Sequence, residues 1–350
     1  TTTKDLLLQV LASAGPTVAP ARSFNNEIGL PLTVLRADED TRYLVLEMGA
    51  SGIGHIAYLT DIAAPDVAVV LVVGTAHVGQ FGGIEVTARA KSELVTGLAP
   101  KGVAVLNADD WRVAAMAAVA PGEVVTFGLS GDAQVRGVDV RLADGGHPAF
   151  TLTDTRTGRS APVRLRLVGE HHVHNALAAP AAALVVGLDL DAVAGALAGA
   201  DALSPHRMHV VDRPDGVTVV DDSYNANPDS MRAALKALAA LAGRERRSVA
   251  VLGEMLELGP DARTAHDAIG RLAVRLDIGL TVVVGDGARA IADGAAHEGA
   301  WGDEVVRVDD VDAAARLLAS ELRPGDVVLV KSSYDAGLWR LGDRLLEVDG

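Results

Sequence analysis

The stretch VVDDSYNANPDSM, residues 219–231, joins an apolar run to a helical pattern through two acids and an Asn-rich turn. The apolar residues before Asp221 predict a β-strand, and Pro228 is typical of the first turn of a helix. A strand that leads through a short polar loop into a helix is the repeating unit of an open α/β sheet. Ligands of such sheets bind at the carboxyl ends of the strands, so we expect a binding site here.

The polar loop of this stretch has two interpretations. An acid at the carboxyl end of a strand commonly binds a ribose hydroxyl, and the amides at a helix start favour an anion. A plain Asx-rich turn would explain Asn225 and Asn227 without any function. It would not explain why two adjacent acids end an apolar strand.

The alternation of strands and helices continues on both sides of this stretch. From residue 217 onward, the pattern predicts strands at 217–220, 248–252, 280–284, 304–308 and 327–330. The helices predicted between these strands lie at 230–242, 264–276 and 312–322. Before it, the pattern predicts helices at 4–14, 86–98 and 176–186, and strands at 43–47, 67–73 and 102–106. Between 122 and 167, short alternating runs with Gly and Asp turns predict antiparallel hairpins attached to the main sheet. The pattern restarts around Ser204-Pro205-His206-Arg207, which predicts a domain boundary there.

Composition excludes several classes of protein. The chain has 350 residues, enough for about two domains. Its 31 Lys and Arg against 46 Asp and Glu give a net charge of −15, which argues against binding to nucleic acid or to an anionic membrane. The absence of cysteine excludes disulfides, thiolate catalysis and Cys-ligated metal centres. No apolar run approaches the ~18 residues of a spanning helix, and we expect a cytoplasmic protein.

Polar residues beyond two strands of the first half are candidate metal ligands. Glu47 closes the strand YLVLE, and His77 follows the strand VAVVLVV. A carboxylate and an imidazole are plausible ligands of a divalent cation. Taken singly, each is also an ordinary polar residue at a strand end. Because ligands of an open α/β sheet bind beyond the carboxyl ends of its strands, Glu47 and His77 can share one crevice. Lys91, on a predicted helix, is either a solvated lysine paired with Glu85 or Glu93, or a lysine turned into that crevice.

In that crevice, Lys91 has two possible roles. It could contact phosphate as a cation, or it could take up carbon dioxide as a carbamate and become an anionic metal ligand. Spacing does not choose between these roles.

The segment GEHHVHN, residues 169–175, places three histidines before an Ala-rich helix. Tetrahedral zinc sites usually draw their ligands from separated segments, and no cysteine or paired carboxylate stands nearby. Presentation of Asn and His groups to a nucleotide is at least as good an interpretation. Asn175 is also a candidate helix cap.

Taken in order, these segments resemble one family along nearly the whole chain. The motifs that carry the resemblance are FNNEIGLPLT, YLVLEMGA, GTAHVGQFGG, ARAKSELVTGL, LNADD, GEHHVHNALAA, HRM, VVDDSYNANPDSM, LGEMLELG and VLVKSS. They resemble the ATP-dependent Mur ligases of peptidoglycan synthesis. DDSYNANPDSM and LGEMLELG are specific to the branch that adds D-alanyl-D-alanine.

The resemblance implies an α/β fold of two parts. A central ATPase domain, residues 1–206, would have a mostly parallel sheet with a small antiparallel sheet. A smaller Rossmann-like domain, residues 207–350, would follow it. The family's phosphate loop ends in Gly-Lys-Thr, and Thr1 matches its Thr, so the glycines and the lysine would lie upstream of Thr1. The family's N-terminal UDP-sugar domain would also be missing, and we expect that the chain as given does not ligate.

The resemblance also assigns roles to single residues. Thr1, Glu47 and His77 would bind magnesium, and Lys91 falls on the lysine that family members carbamylate, which makes it a further metal ligand and, with His77 and Glu47, a catalytic residue. The residues that would bind ATP are Thr1, Asn175, Arg207, Asp222, Tyr224 and Asn227. The residues that would bind the other substrates are Asn25, Asn26, Lys331 and Ser333. His172 replaces the Asn that is usual at its position.

The implied activity is an ATP-dependent ligation that forms an amide bond. ATP would activate the carboxylate of UDP-N-acetylmuramoyl-tripeptide as an acyl phosphate, and the amine of D-alanyl-D-alanine would attack it, with ATP and Mg²⁺ as cofactors. The enzyme would act as a monomer in cell-wall biogenesis, and hence in cell shape, cell cycle and cell division. The alternatives are a sister ligase, for the third stem-peptide residue or of the folylpolyglutamate type, and a nucleotide-binding fragment without turnover.

One motif departs from the family. After the strand VVLVK, relatives usually continue with a small residue, Ser and then Arg, whereas here Lys331 is followed by Ser332, Ser333, Tyr334 and Asp335. An Arg could pair with the dipeptide carboxylate through two hydrogen bonds, while Tyr334 offers one neutral hydrogen bond and Asp335 adds a repelling charge. We expect weaker dipeptide binding than with the Arg.

Overall fold

The structure is a computed structural model that describes residues 1–74, 83–300, 302 and 304–347. It contains two large β-sheets, one on each side of the segment 204–208, and helices cover both faces of each. No helix in these ranges has both the length and the apolar character needed to cross a membrane.

The first part of the chain contains the following elements. Its helices are α1 (Thr2–Ala12), α2 (Gly29–Val34), α3 (His55–Ile62), α4 (Ile84–Thr96), α5 (Trp111–Ala114), α6 (His172–Val185) and α7 (Leu190–Ala198). Its strands are β1 (Thr17–Val18), β2 (Tyr43–Leu44), β3 (Val67–Val70), β4 (Val103–Asn107), β5 (Val124–Gly128), β6 (Val135–Ala143), β7 (His147–Asp154) and β8 (Arg159–Arg164).

The large sheet of the first part has the strand order β3-β4-β5-β6-β7-β8. Strands β3 to β6 pair in parallel, and β6, β7 and β8 pair antiparallel. This confirms the predicted parallel sheet with antiparallel hairpins attached. The predicted strand at 43–47 is shorter than expected: only Tyr43–Leu44 is a strand, and it pairs with Thr17–Val18 in a separate small sheet.

The second part continues the alternation. Its helices are α8 (Pro228–Ala242), α9 (Ala262–Arg275), α10 (Arg289–Glu298), α11 (Val311–Glu321) and α12 (Trp339–Leu346). Its strands are β9 (His209–Asp212), β10 (Thr218–Asp221), β11 (Ser248–Leu252), β12 (Leu280–Val284), β13 (Val305–Val308) and β14 (Val327–Lys331).

The second sheet has the order β13-β12-β11-β14-β10-β9, and its pairs are parallel except the edge pair β10–β9. Helices α8, α9 and α10 pack on one face, through residues such as Met231 and Ile269. Helices α11 and α12 pack on the other face, through Leu318 and Leu341. Coverage on both faces explains why β11, β12 and β14 are buried throughout, and this is the predicted doubly wound unit.

Helices α9 and α10 approach each other so closely that they need glycine at the contact. A Cβ at Gly270 would lie 1.8 Å from the carbonyl oxygen of Ile291, and a Cβ at Gly294 would lie 2.0 Å from that of Asp267. Backbone cannot yield as a flexible side chain can. Any larger residue must therefore push the helices apart.

We predict that Gly270→Ala lowers the free energy of unfolding by about 1–3 kcal/mol, the usual cost of overpacking. The matched control is Gly195→Ala on α7, where an added Cβ would meet nothing within 4 Å. That variant should be neutral or more stable by up to about 1 kcal/mol, because Ala favours a helix over Gly. Urea unfolding of both variants tests this, and equal effects would contradict the contact described.

Candidate active site

Two neighbouring cavities share part of their lining. The larger has a volume of about 980 Å³, and Asn25, Glu47, Lys91 and Asn227 are among its lining residues. The smaller has a volume of about 400 Å³ and lies between residues of both parts of the chain, including Thr1, Arg207 and Tyr334. Asn25, Glu47 and Asn227 line both cavities, so they form a shared wall.

Glu47 is the centre of a hydrogen-bonded cluster in that wall. The Thr1 hydroxyl lies 3.1 and 2.9 Å from its two carboxylate oxygens, and the Asn25 amide donates to its Oε1 at 2.9 Å. The Ser23 hydroxyl lies 2.8 Å from the Thr1 hydroxyl. The structure therefore brings three of the predicted site residues, Thr1, Asn25 and Glu47, into direct contact.

Arg207 joins this cluster from the segment between the two sheets. Its guanidinium donates to Ser23 Oγ at 3.1 Å and lies 4.0 Å from the centre of the Tyr224 ring. Stacking on an aromatic face fixes a guanidinium without using its hydrogen-bond donors. Its Nε is buried and has no hydrogen-bond partner among the described residues. Arg207 and Tyr224 thus lie at the smaller cavity, beside Thr1.

Lys91 lines the larger cavity, and its two expected surface partners are engaged elsewhere. Glu85 pairs with Arg112, at 2.8 Å. Glu93 accepts from the amides of Gly54 and Ala57 at the start of α3, at 2.6 and 3.1 Å. Burial lowers the pKa of the Lys91 ammonium, and the nearby Asp110 carboxylate partly opposes this shift. A lowered pKa increases the fraction of neutral amine, the form that can react with carbon dioxide.

Asp222 and Lys331 form a buried ion pair at the ends of β10 and β14. Lys331 is 1% exposed, and its ammonium donates to Asp222 Oδ2 at 2.5 Å, to Asn225 O at 2.9 Å and to Asp222 O at 3.4 Å. Asp222 Oδ1 accepts from the amide of Met208 at 3.1 Å. Both side chains therefore hold the loop that follows β10, and their contacts with ATP or substrate stay predictions.

Three other candidates have structural contacts that account for their residue types. Asn26 Oδ1 accepts from the amides of Ile28 and Gly29 at the start of α2, at 3.2 and 2.8 Å. Asn227 caps α8 through a reciprocal pair of hydrogen bonds with Ser230. The Ser333 hydroxyl accepts from the amide of Leu256 and donates to Ala226 O. Asn26 nevertheless lines the larger cavity, Ser333 the smaller, and Asn227 both.

The three histidines of GEHHVHN do not converge on one point. His171 and His172 lie ring to ring at 4.0 Å, whereas His174 bonds Asp109 at 2.8 Å. Burial lowers the pKa of His172 well below its ordinary value, and that of His171 as well, so both rings are neutral at pH 7. Asn175, in the first turn of α6, lies near His172 Nδ1 at 3.5 Å, and its carbonyl accepts from Thr3 at 3.3 Å.

His77 lies outside the described residues, so the predicted convergence of Glu47, His77 and Lys91 stays a prediction. Sequence reasoning missed two features. Ser23 links Thr1 to Arg207 across the chain, and no local pattern marks it. Within the described ranges, one group has metal-ligand spacing: His206, Asp221 and Asp343, whose ligand atoms all lie within 4.8 Å of one another. The paired acids Asp221 and Asp222 at the end of β10 were the available signal for it.

This chain is similar in sequence to curated proteins along nearly its whole length. The chain is 52% identical to the UDP-N-acetylmuramoyl-tripeptide–D-alanyl-D-alanine ligase of Mycobacterium bovis, over 100% of this chain and 71% of that protein. It is 33% identical to the ligase of the same name from Escherichia coli, over 97% of this chain and 73% of that protein.

Solved structures show the same relation. A crystal structure of MurF from Acinetobacter baumannii superposes with a TM-score of 0.87 at 31% identity, over 99% of this chain and 74% of that one. MurF from Thermotoga maritima in complex with ADP gives a TM-score of 0.83 at 28% identity, over 98% of this chain and 76% of that one.

Two family domains match this chain in the order of its two sheets. The Mur ligase middle domain matches residues 1–183, and the domain described as "Mur ligase, glutamate ligase domain" matches residues 206–334. The Glu47 cluster lies in the first match, and the loop after β10 lies in the second. With a shared fold, shared motifs and relatives of high identity along the whole chain, this protein belongs to the Mur ligase family.

Proposed function

We propose that this chain belongs to an ATP-dependent ligase that joins D-alanyl-D-alanine to UDP-N-acetylmuramoyl-tripeptide in peptidoglycan synthesis. The observation that carries the proposal is the wall shared by the two cavities, where Glu47, Thr1 and Asn25 meet Arg207 through Ser23. The names of the relatives support the same substrates. The domain division at 206/207, the monomeric state and the cytoplasmic location stay predictions.

Several described residues could serve such a ligation. The γ-phosphoryl group of ATP passes to an oxygen of the tripeptide carboxylate, which gives an acyl phosphate and ADP. The dipeptide amine then attacks the acyl carbon, loses a proton and expels phosphate. Arg207, which stacks on Tyr224, would supply a cation to the phosphates, and the larger cavity would hold the tripeptide that accepts the phosphoryl group. At the wall between the cavities, the γ-phosphate of ATP would meet the tripeptide carboxylate.

The donor set in the wall fits magnesium. Thr1 supplies a hydroxyl and Glu47 a carboxylate, both hard oxygen ligands, and they already lie within hydrogen-bond distance of each other. Magnesium bound there would neutralise charge that develops on the transferring phosphoryl group. Asn25 orients the Glu47 carboxylate by donating to one of its oxygens.

A phosphate-release assay tests the proposed function. On a chain extended upstream through the phosphate loop, we expect release only when ATP, UDP-N-acetylmuramoyl-tripeptide and D-alanyl-D-alanine are all present. Release driven by UDP-N-acetylmuramoyl-dipeptide with a free amino acid would instead identify a sister ligase. Nucleotide binding without release under any of these conditions would identify a protein that has lost turnover.

Lys91→Ala tests whether this lysine acts as an anion or as a cation. We expect kcat to fall by about a hundredfold or more, because a charged group at the transferring phosphoryl is lost. If Lys91 acts as a carbamate, acetate or chloride should restore part of the activity by occupying the place of the missing anion. Lys236→Ala, on the exposed face of α8, is the matched control and should have no effect. Failure of both anions to rescue would show that Lys91 acts as a cation.

The departure at Tyr334 and Asp335 predicts a weaker dipeptide site. Both residues line the smaller cavity, and the Tyr334 ring stacks on Trp339 with centroids 5.6 Å apart. The double variant Tyr334→Arg, Asp335→Ala should lower KM for D-alanyl-D-alanine by about tenfold, because it adds a charge-assisted hydrogen bond and removes a repelling carboxylate. KM for ATP should stay the same. Equal dipeptide KM values would show that this loop does not contact the dipeptide.

A further inference from the structure

The segment 204–208 connects the two sheets and is anchored at both ends. Before Arg207, the amide of Ser204 donates to Asp5 Oδ2 in α1, at 3.0 Å. After it, the amide of Met208 donates to Asp222 Oδ1, at 3.1 Å. Arg207 is therefore held between an anchor on the first part of the chain and an anchor on the second.

The backbone around Arg207 has an unfavourable conformation. His206 has φ = 60° and Met208 has φ = 51°, so both neighbours of Arg207 are left-handed although neither is glycine. Such residues persist only where the surrounding structure holds them, and they concentrate at functional sites. A contact with the surrounding structure must therefore hold His206 in its left-handed conformation.

The His206 side chain provides that contact. Its Nδ1–H donates to Asp221 Oδ2 at 2.6 Å, and its Nε2 lies 3.8 Å from Asp343 Oδ1 on α12. Asp221 is fully buried and also accepts from the amide and the hydroxyl of Ser223. A Cβ at Gly342 would lie 2.7 Å from the Asp221 carboxylate, so α12 closes directly over it. His206 is thus bonded to a carboxylate that cannot move away.

The conformation of His206 decides where Arg207 points. The carbonyl of His206 accepts from the amide of Tyr224, at 3.1 Å, and the Arg207 guanidinium lies over the Tyr224 ring. From there it reaches Ser23, whose hydroxyl contacts Thr1. A change at His206 would therefore move Arg207 away from the wall of the two cavities.

We propose that His206 is a positioning residue of the ligase, and that its hydrogen bond to Asp221 holds Arg207 at the nucleotide site. The proposal rests on the proposed function, because it takes Arg207 to face ATP. His206 acts through the backbone of its neighbour and touches no substrate.

Three substitutions separate the hydrogen bond from the backbone conformation. His206→Asn keeps a nitrogen donor close to the position of the His Nδ1 atom, and Asn tolerates a left-handed φ. His206→Gly tolerates that φ but loses the hydrogen bond. His206→Ala loses the hydrogen bond and is strained as well. Each is assayed in a chain extended upstream through the phosphate loop, below its melting temperature.

We expect His206→Gly to raise KM for ATP by about tenfold, the effect of losing one charge-assisted hydrogen bond, with KM for D-alanyl-D-alanine unchanged. His206→Asn should stay within about twofold of the parent chain, and His206→Ala should resemble the Gly variant with a lower melting temperature. An unchanged KM for ATP in the Gly variant, or an Asn variant as impaired as the Gly variant, would overturn the proposal.

A second substitution distinguishes this proposal from the proposed function. Arg207→Ala should raise KM for ATP, and adding His206→Gly to it should have no further effect, because His206 acts through Arg207. Independent effects of the two changes would overturn the positioning role alone. An unchanged KM for ATP in Arg207→Ala would instead refute the assignment of Arg207 to the nucleotide, on which the proposed function relies.

Discussion

The ammonium of Lys331 is a charge that the fold must satisfy, because it lies at the end of a fully buried strand. An unpaired buried charge costs several kcal/mol, and removal of one partner of a buried pair is strongly destabilising. All three donors of Lys331 are used by the loop that follows β10, on the neighbouring strand. The position of that loop is therefore set by an electrostatic requirement of the core, and not by local turn preference alone.

Asp222, the carboxylate that pairs with Lys331, also fixes the segment that connects the two sheets. Asp222 accepts from Lys331 with one oxygen and from the amide of Met208 with the other. The neighbouring Asp221 bonds His206. The two acids that end β10 thus have different tasks: one neutralises a buried cation, and both fix the segment that carries Arg207. Their adjacency, which a plain Asx turn did not explain, follows from this division.

Local patterns in the sequence predicted most of the fold, because they reflect burial. Unbroken apolar runs identified β11, β12 and β14, and alternating runs between 122 and 167 identified the antiparallel strands. The strand at 43–47 was overestimated: Tyr43 and Val45 pack in the hydrophobic core, which explains the apolar pattern, but only Tyr43–Leu44 pair with another strand. Helices α2, α3, α5, α7, α10 and α12 were not identified. Much of α10 consists of Ala and Gly, and close backbone contact replaces the large apolar residues that a periodicity argument requires.

The candidate site was predictable in its residue types but not in its connections. Strand ends and the family resemblance selected Glu47, Lys91 and Asp222, each from a local motif. The contacts of Ser23 with Thr1 and Arg207, and of His206 with Asp343, join residues far apart in sequence, and local periodicity carries no information about them.

The shared wall shows why such connections matter for the proposed reaction. Asn25 and Glu47 come from the first part of the chain and Asn227 from the second, so the wall between the two cavities exists only while both parts are held together. An acyl phosphate formed at this wall must meet an amine before it meets water, which requires that the amine site be in place when the phosphoryl group moves. The segment 204–208 is held by a hydrogen bond to each part of the chain, and it places Arg207, the cation proposed to face the phosphates, beside this wall.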